Sequence, residues 1–189
     1  GVTEKDPYSA YLFRKVMQRY IVEALKYPPA KEPLVNLKNW GQCTLPTNFT
    51  ERYAFDENLL NNLETLLNGL PINHTIKKVE KVGTRVMALG IMNHFIEFKL
   101  ARYEEDRNHP DRQGGSGLSP WLHFGKISSY EIVDKVLSKQ PLGWNIEESQ
   151  PNGGKNSGFF RGHSYIESFL DELITCLLYT SDAADELRS

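Results

Sequence analysis

Apolar residues recur along this chain at helical spacing, and nowhere do they alternate over a useful length. From Tyr8 to Tyr27, Leu12, Val16, Tyr20 and Ala24 fall four apart, and Phe13, Met17 and Ile21 widen the stripe. Pro28-Pro29 ends that helix, because proline lacks an N–H and restrains the residue before it. Residues 30–55 keep no period and predict an irregular connection pinned to the core by Trp40, Leu45, Phe49, Tyr53 and Phe55. Asp56 offers an N-cap for a helix over Glu57 to Asn68, whose Leu59, Leu60, Leu63, Leu66, Leu67 and Leu70 predict a core stripe. Gly69 and Pro71 punctuate its end.

The pattern resumes over Thr84 to Arg102, with Val86, Leu89, Met92/Asn93, Phe95, Ile96 and Leu100 as the buried face. Ser128 followed by Glu131 is a capping-box pattern. It predicts a helix to about Lys139 that buries Ile132, Val133, Val136 and Leu137, with Pro141 and Gly143 ending it. A polar Gly/Asn/Ser-rich loop over Asn145 to Gly162 is interrupted by Phe159-Phe160, and Ser164 opens a last helix to Thr175. The expectation is an all-α, multi-helical domain of roughly six helices with long irregular connections.

Composition narrows the class. A net charge of −2 and a pI near 6.2 leave room for a nucleic-acid site only as a local basic face. Lys77, Lys78, Lys81 and Arg85 form one such cluster, read as a solvated face. The only cysteines, Cys43 and Cys176, supply neither a metal spacing nor a disulfide framework, so no metal is expected and a reducing compartment is. No run approaches ~18 apolar residues, which gives no membrane span, and the first residues do not read as a signal peptide. Asn48 and Asn73 sit in sequons that are read as chance matches.

The chemistry concentrates between Tyr103 and Gly125. Gly114-Gly115-Ser116-Gly117-Leu118-Ser119-Pro120 joins two helices by a loop of small and hydroxyl residues. Such a loop is either a simple turn or a cradle of backbone N–H groups for an anion, with Ser119 as N-cap and Pro120 at N1. It lacks the preceding strand of a Rossmann fingerprint and the lysine of a P-loop. Glu104-Glu105-Asp106 reads as a solvated acidic turn, and His123 as a hydrogen-bonded core residue. On the last helix, Glu172 lies three residues after Phe169 and so on its inward face, where a carboxylate needs either a structural partner or a ligand. Asp171 beside it belongs to the same candidate site.

The run Tyr103…Arg107-Asn-His-Pro110…Gly115-Ser-Gly-Leu-Ser-Pro-Trp-Leu-His-Phe-Gly125-Lys-Ile-Ser128 resembles the signature of the DNA photolyase/cryptochrome family. Ser164 to Thr175 is similar to the family helix in which Asn/Asp-Glu-Leu-Ile/Val follows an aromatic-Leu pair. The resemblance implies a light-driven enzyme whose excited reduced FAD donates an electron to a cyclobutane pyrimidine dimer in UV-damaged DNA. It implies that Tyr103, Gly115, Ser116, Gly117, Leu118 and Ser119 hold the FAD diphosphate and that Phe169 walls the flavin pocket. It assigns Arg107 to a phosphate of the DNA, and Glu172 to the lesion, where it stabilises the radical anion as the catalytic group. Gly115 and Gly117 depart from the family's commoner Thr and Arg-like choices, so backbone N–H groups would carry more of the binding.

By the same resemblance, residues 1–175 are part of a helical FAD-binding domain. An α/β domain that often holds an antenna chromophore would precede it, and residues 176–189 read as an adapter-derived tail. The flavin-ring and electron-relay residues of the family would follow residue 175. The expected parent is monomeric, cytoplasmic and DNA-associated, and the isolated chain is expected to bind FAD weakly or not at all and to be inactive. The rival readings are a cryptochrome-type blue-light receptor without repair activity and a non-catalytic helical interaction domain.

Overall fold

The computed structural model describes residues 9–30, 34–35, 44–53, 58, 61–77 and 79–176. They fall into two units, Gly1–Pro28 with Val82–Ser189, and Pro29–Lys81. The described residues are helical, with no strand among them, which makes the domain all-α as expected.

In the first unit, α1 spans Ala10–Lys26, and the Ser9 hydroxyl accepts the Leu12 N–H at 3.4 Å as its N-cap. Its inward side carries Met17, Ile21, Val22 and Leu25, with Gln18 buried among them. The expected Leu12–Val16–Tyr20–Ala24 row is therefore not the inward one, and Tyr20 is 50% exposed. Residues two apart on a helix lie about 200° apart, so a core face centred on Gln18 turns Val16 and Tyr20 aside. Gln18 tolerates burial because its amide makes three hydrogen bonds. Its oxygen accepts the N–H groups of Asn152 at 3.2 Å and Gly154 at 3.1 Å, and its nitrogen donates to the Lys155 carbonyl at 3.1 Å.

Four helices follow in the chain. α2 spans Arg85–Phe98, capped by the Thr84 hydroxyl, and buries Ala88, Met92 and Phe95. The same phase effect leaves Val86, expected inside, 81% exposed. The helix does not run on to Arg102. It stops at Lys99, and a 3-10 turn, Leu100–Arg102, buries Leu100 before α3, Tyr103–Asp106. After α4, Ser119–His123, comes α5, Ser129–Leu137, which buries Ile132, Val133 and Val136 as expected. Ser128 accepts the Glu131 N–H at 3.0 Å, but Glu131 does not complete the capping box. Its carboxylate instead takes both ends of the Arg85 guanidinium, at 2.9 and 3.0 Å, tying α2 to α5.

The last helix, α6, spans Ser164–Asp171 and runs into a π-helical turn, Glu172–Cys176. It packs on α3, on the Leu100–Arg102 turn and on α5, while the π turn meets α1. Phe159 and Phe160 are buried, as a ring pair in an otherwise polar loop suggests. The loop's backbone is held by Glu167, whose carboxylate accepts the N–H groups of Gly158, Phe159 and Phe160.

The second unit contains Thr47–Tyr53 and Leu63–Asn68 as helices. The leucine stripe expected in the core is on the surface: Leu63, Leu66, Leu67 and Leu70 are 38–50% exposed. A stripe is buried only when another element lies on it, and periodicity does not report whether one does. Leu45 and Phe49, expected to pin the connection, are also exposed. Asp56, Leu59, Leu60, Trp40, Phe55 and Lys78 lie outside the described residues.

Candidate functional site

The end of α2 positions the site. The helical break at Lys99 rotates α3 so that the Tyr103 ring turns inward. That ring stands edge-on to Phe95, centroids 5.8 Å apart, and edge-on to Phe169 of α6, 5.2 Å apart. Phe95 and Phe169 close the triangle at 4.7 Å. Phe169 is only 4% exposed, so its ring is part of the core before it is the wall of anything.

One turn on, the guanidinium of Arg107 sits 5.9 Å from the Tyr103 ring centroid and forms an ion pair with Glu172. Partial burial pulls the Arg107 guanidinium down, but the Glu172 charge, with hydrogen bonds to Glu172 and Tyr103, outweighs it and leaves the group above its ordinary value. Glu172 therefore has a structural partner in Arg107. Both side chains keep roughly a third of their surface in solvent, 30% and 37%, so a polar ligand can reach the pair.

The acidic turn is not merely solvated. Glu104 and Glu105 are exposed, but Asp106 is 7% exposed and accepts Arg102 and Arg112, each at 3.0 Å. That clamp folds the chain back so that Gly114 lands on the Asp106–Arg107 backbone. A Cβ at residue 114 would lie 2.6 to 2.8 Å from atoms of those two residues, so the close approach requires glycine. Lys99 adds a bond from its ammonium to the Gln113 carbonyl at 2.9 Å.

Beyond Gly114 the loop opens. Gly115, Gly117 and Ser119 are exposed and Ser116 is half-buried. Gly117 takes a left-handed φ of 69°, and the Ser116 hydroxyl accepts the Leu118 N–H at 3.4 Å. Among the described residues, the N–H groups of Gly115, Ser116 and Gly117 meet no acceptor. Leu118 is completely buried, so residue 118 can offer a ligand only its backbone. Ser119 is the first residue of α4 rather than its cap, which falls on Leu118, and Pro120 moves one position inward. His123 is exposed, edge-on to Phe124, and not a core residue.

The structure thus brings Tyr103 and Phe169 together in one cluster, and Arg107 and Glu172 in one pair. It anchors the Gly115–Ser119 loop beside them through Gly114. Two open surface grooves lie elsewhere, about 580 Å³ around His94, Phe98 and Lys139 and about 590 Å³ around Tyr130 and Trp144. Among the described residues, no cluster of three or more His, Cys, Asp or Glu could hold a metal, and no helix is long and apolar enough to cross a membrane.

No protein-family profile matches the chain. Its sequence is similar to the deoxyribodipyrimidine photo-lyase of Potorous tridactylus, 39% identical over 70 residues, which are 36% of this chain and 13% of that protein. It is also similar to the deoxyribodipyrimidine photo-lyase of Arabidopsis thaliana, 28% identical over 150 residues, 75% of this chain and 28% of the relative. With that of Oryza sativa subsp. japonica it is 29% identical over 131 residues, 66% of this chain and 23% of the relative. These similarities support a photolyase family relationship. It spans 13% to 28% of the length of these relatives.

Several residues that shape the candidate site gave no sequence signal of that role. Gly114 reads as one more loop glycine, Asp106 as one more surface acid, and Arg14, which grips Asp171 beside Glu172, as a helix-surface cation. The one usable hint was phase, since Arg14 and Gln18 are four apart on the face of α1 that the core uses.

Proposed function

We propose that this chain is part of a light-driven, FAD-dependent DNA photolyase that splits cyclobutane pyrimidine dimers. The observation that carries the reading is the accessible Arg107–Glu172 pair, seated on the Tyr103–Phe169 ring cluster next to a loop of N–H groups without acceptors. The similarity to three photo-lyases supports it.

The loop fits a diphosphate by its donor set. The N–H groups of Gly115, Ser116 and Gly117, with the hydroxyl of Ser119, offer neutral donors to an anion, and the absence of Cβ atoms at 115 and 117 permits close approach. Tyr103 and Phe169 would flank the same cofactor. When bound, FAD supplies the photoexcited electron donor, while the chain supplies position and electrostatics. Arg107, whose side chain keeps part of its surface in solvent, suits a DNA phosphate and gives register rather than sequence preference. Glu172 suits the lesion, whose flipped-out base carries carbonyl and N–H groups that a carboxyl side chain can bond.

The test is a chimera in which residues 9–175 replace the matching segment of the Arabidopsis photo-lyase. It should retain FAD and split a thymine dimer in an oligonucleotide under blue light but not in the dark. A folded, FAD-bound chimera that leaves the dimer intact under illumination overturns the proposal.

A further inference from the structure

Two arginines reach two adjacent carboxylates on the last helix. Arg107 of the α3 end pairs with Glu172, and Arg14 of α1 pairs with Asp171. Neighbouring positions on a helix point about 100° apart, so the two carboxylates are sorted to two partners by helix rotation alone. A slip of one residue would bring Asp171 toward Arg107, with a side chain one methylene shorter.

The Asp171 end of this arrangement is the more closely built. Arg14 Nε donates to Asp171 Oδ1 at 2.6 Å and Arg14 Nη2 to Oδ2 at 3.0 Å, a bidentate fork across 157 residues. Both side chains are more than four-fifths buried, at 18% and 16% exposure. The same Oδ1 accepts the hydroxyl of Thr175 at 3.0 Å, and Thr175 is completely buried. Asp171 is the last α-helical residue, and Thr175 lies inside the π turn. A π turn is wider and rarer than an α turn, and persists where its surroundings determine it. Here one carboxylate is held from outside by Arg14 and ties down the turn from inside through Thr175. Glu172 sits between the two attachment points.

The geometry points to Asp171, with Arg14 and Thr175, as positioning residues that fix the rotation of the Glu172–Cys176 turn so that Glu172, and not its neighbour, meets Arg107. The inference rests on Glu172 being the lesion-facing group for its functional meaning. Its test reads the Arg107–Glu172 pair directly, so it succeeds or fails independently of repair.

In the 189-residue chain, solvent exchange of the Arg107 guanidinium Nη1–H, which donates to Glu172, is measured by NMR. Glu172→Gln sets the value for a broken pair. Asp171→Asn should raise the exchange rate about three- to tenfold toward that value, the range expected when a partly buried charge-assisted bond opens. Thr175→Val, which keeps the side-chain shape and removes the hydroxyl, should raise it in the same direction, and Thr175→Ser should restore the native rate. Ile166→Val, a core truncation of α6, should lower stability without moving Arg107 exchange. Arg107 exchange that stays native in both Asp171→Asn and Thr175→Val overturns the inference. So does an equal rise in Ile166→Val, which would make the effect one of general stability. In the chimera, Asp171→Asn should lower the splitting rate while leaving KM for the damaged strand unchanged. A change in KM alone would contradict a role acting through Glu172.

Discussion

Arg107 and Glu172, 65 residues apart, neutralise one another at the surface end of an aromatic cluster, and each keeps part of its surface in water. The pair is closed enough to be ordered and open enough to exchange a partner. Such a pair contributes little to folding. Glu172→Gln should lower stability by about 1 kcal/mol or less in urea unfolding, because solvent screens the lost attraction. A loss above about 3 kcal/mol would mark the pair as a buried structural bridge instead.

Function should respond more strongly than stability. In the chimera, Arg107→Ala should weaken binding of a dimer-bearing oligonucleotide and reduce the salt slope of binding by about one. An unchanged salt slope would remove Arg107 from the DNA phosphate.

Gly114 and Gly115 are adjacent, and their substitutions should separate. A methyl group at 114 meets the Asp106–Arg107 backbone at under 3 Å, whereas one at 115 meets nothing within 4 Å. Gly114→Ala should cost about 1–3 kcal/mol as an overpacking change, and Gly115→Ala should stay within about 0.5 kcal/mol. Chemical denaturation of the two variants decides between this picture and one in which the loop hangs free.

Glu167 is a single side chain serving three backbone donors. Glu167→Ala leaves the N–H groups of Gly158, Phe159 and Phe160 without that acceptor and should cost about 3 kcal/mol or more. Hydrogen exchange should accelerate first at those three amides. Uniform acceleration along α6 would show that Glu167 supports the helix rather than the loop.

Tyr130 gives a pH signature. Burial, and secondarily the charge of Asp134, raises its phenol above the ordinary value of 10.0, while its hydroxyl donates to the Leu25 carbonyl at 3.1 Å. The native state thus holds this proton more tightly than the unfolded chain. The associated stability is complete below the unfolded value near 10 and is lost as pH rises through the higher folded one. Absorbance titration of Tyr130 should show the raised midpoint, and Asp134→Asn should remove only the smaller part of the shift.

The fold class was readable because four-residue spacing recurs in Leu12–Val16 and Met92–Ile96 and the chain never alternates. Capping chemistry was readable at Ser128, where a hydroxyl stands three residues before Glu131; the Thr84 cap was not read. Which side of a helix turns inward was harder to read. Gln18 in α1 and Ala88 in α2 mark faces that a hydrophobicity pattern passes over, the first because a polar group with three partners can be buried, the second because a small residue permits close packing. The leucines at 63, 66, 67 and 70 failed for the opposite reason, since apolarity does not supply a neighbour. Arg107 and Glu172 stood out by residue type and by the resemblance. The supports at Arg14, Asp106 and Gly114 depend on distances between segments, which no local pattern encodes.

The long reach of Gln18 has a consequence for synthesis. The loop that its amide secures, Asn152 to Lys155, is made more than a hundred residues after α1. Until then a polar group designed for the interior faces water on a helix whose inner face has little to cover it. Local helices can form as they emerge, but closure of α1 on this loop waits until residue 155 has been made. Slow translation would hasten none of it, and a stall before residue 155 would leave the nascent chain open to chaperones.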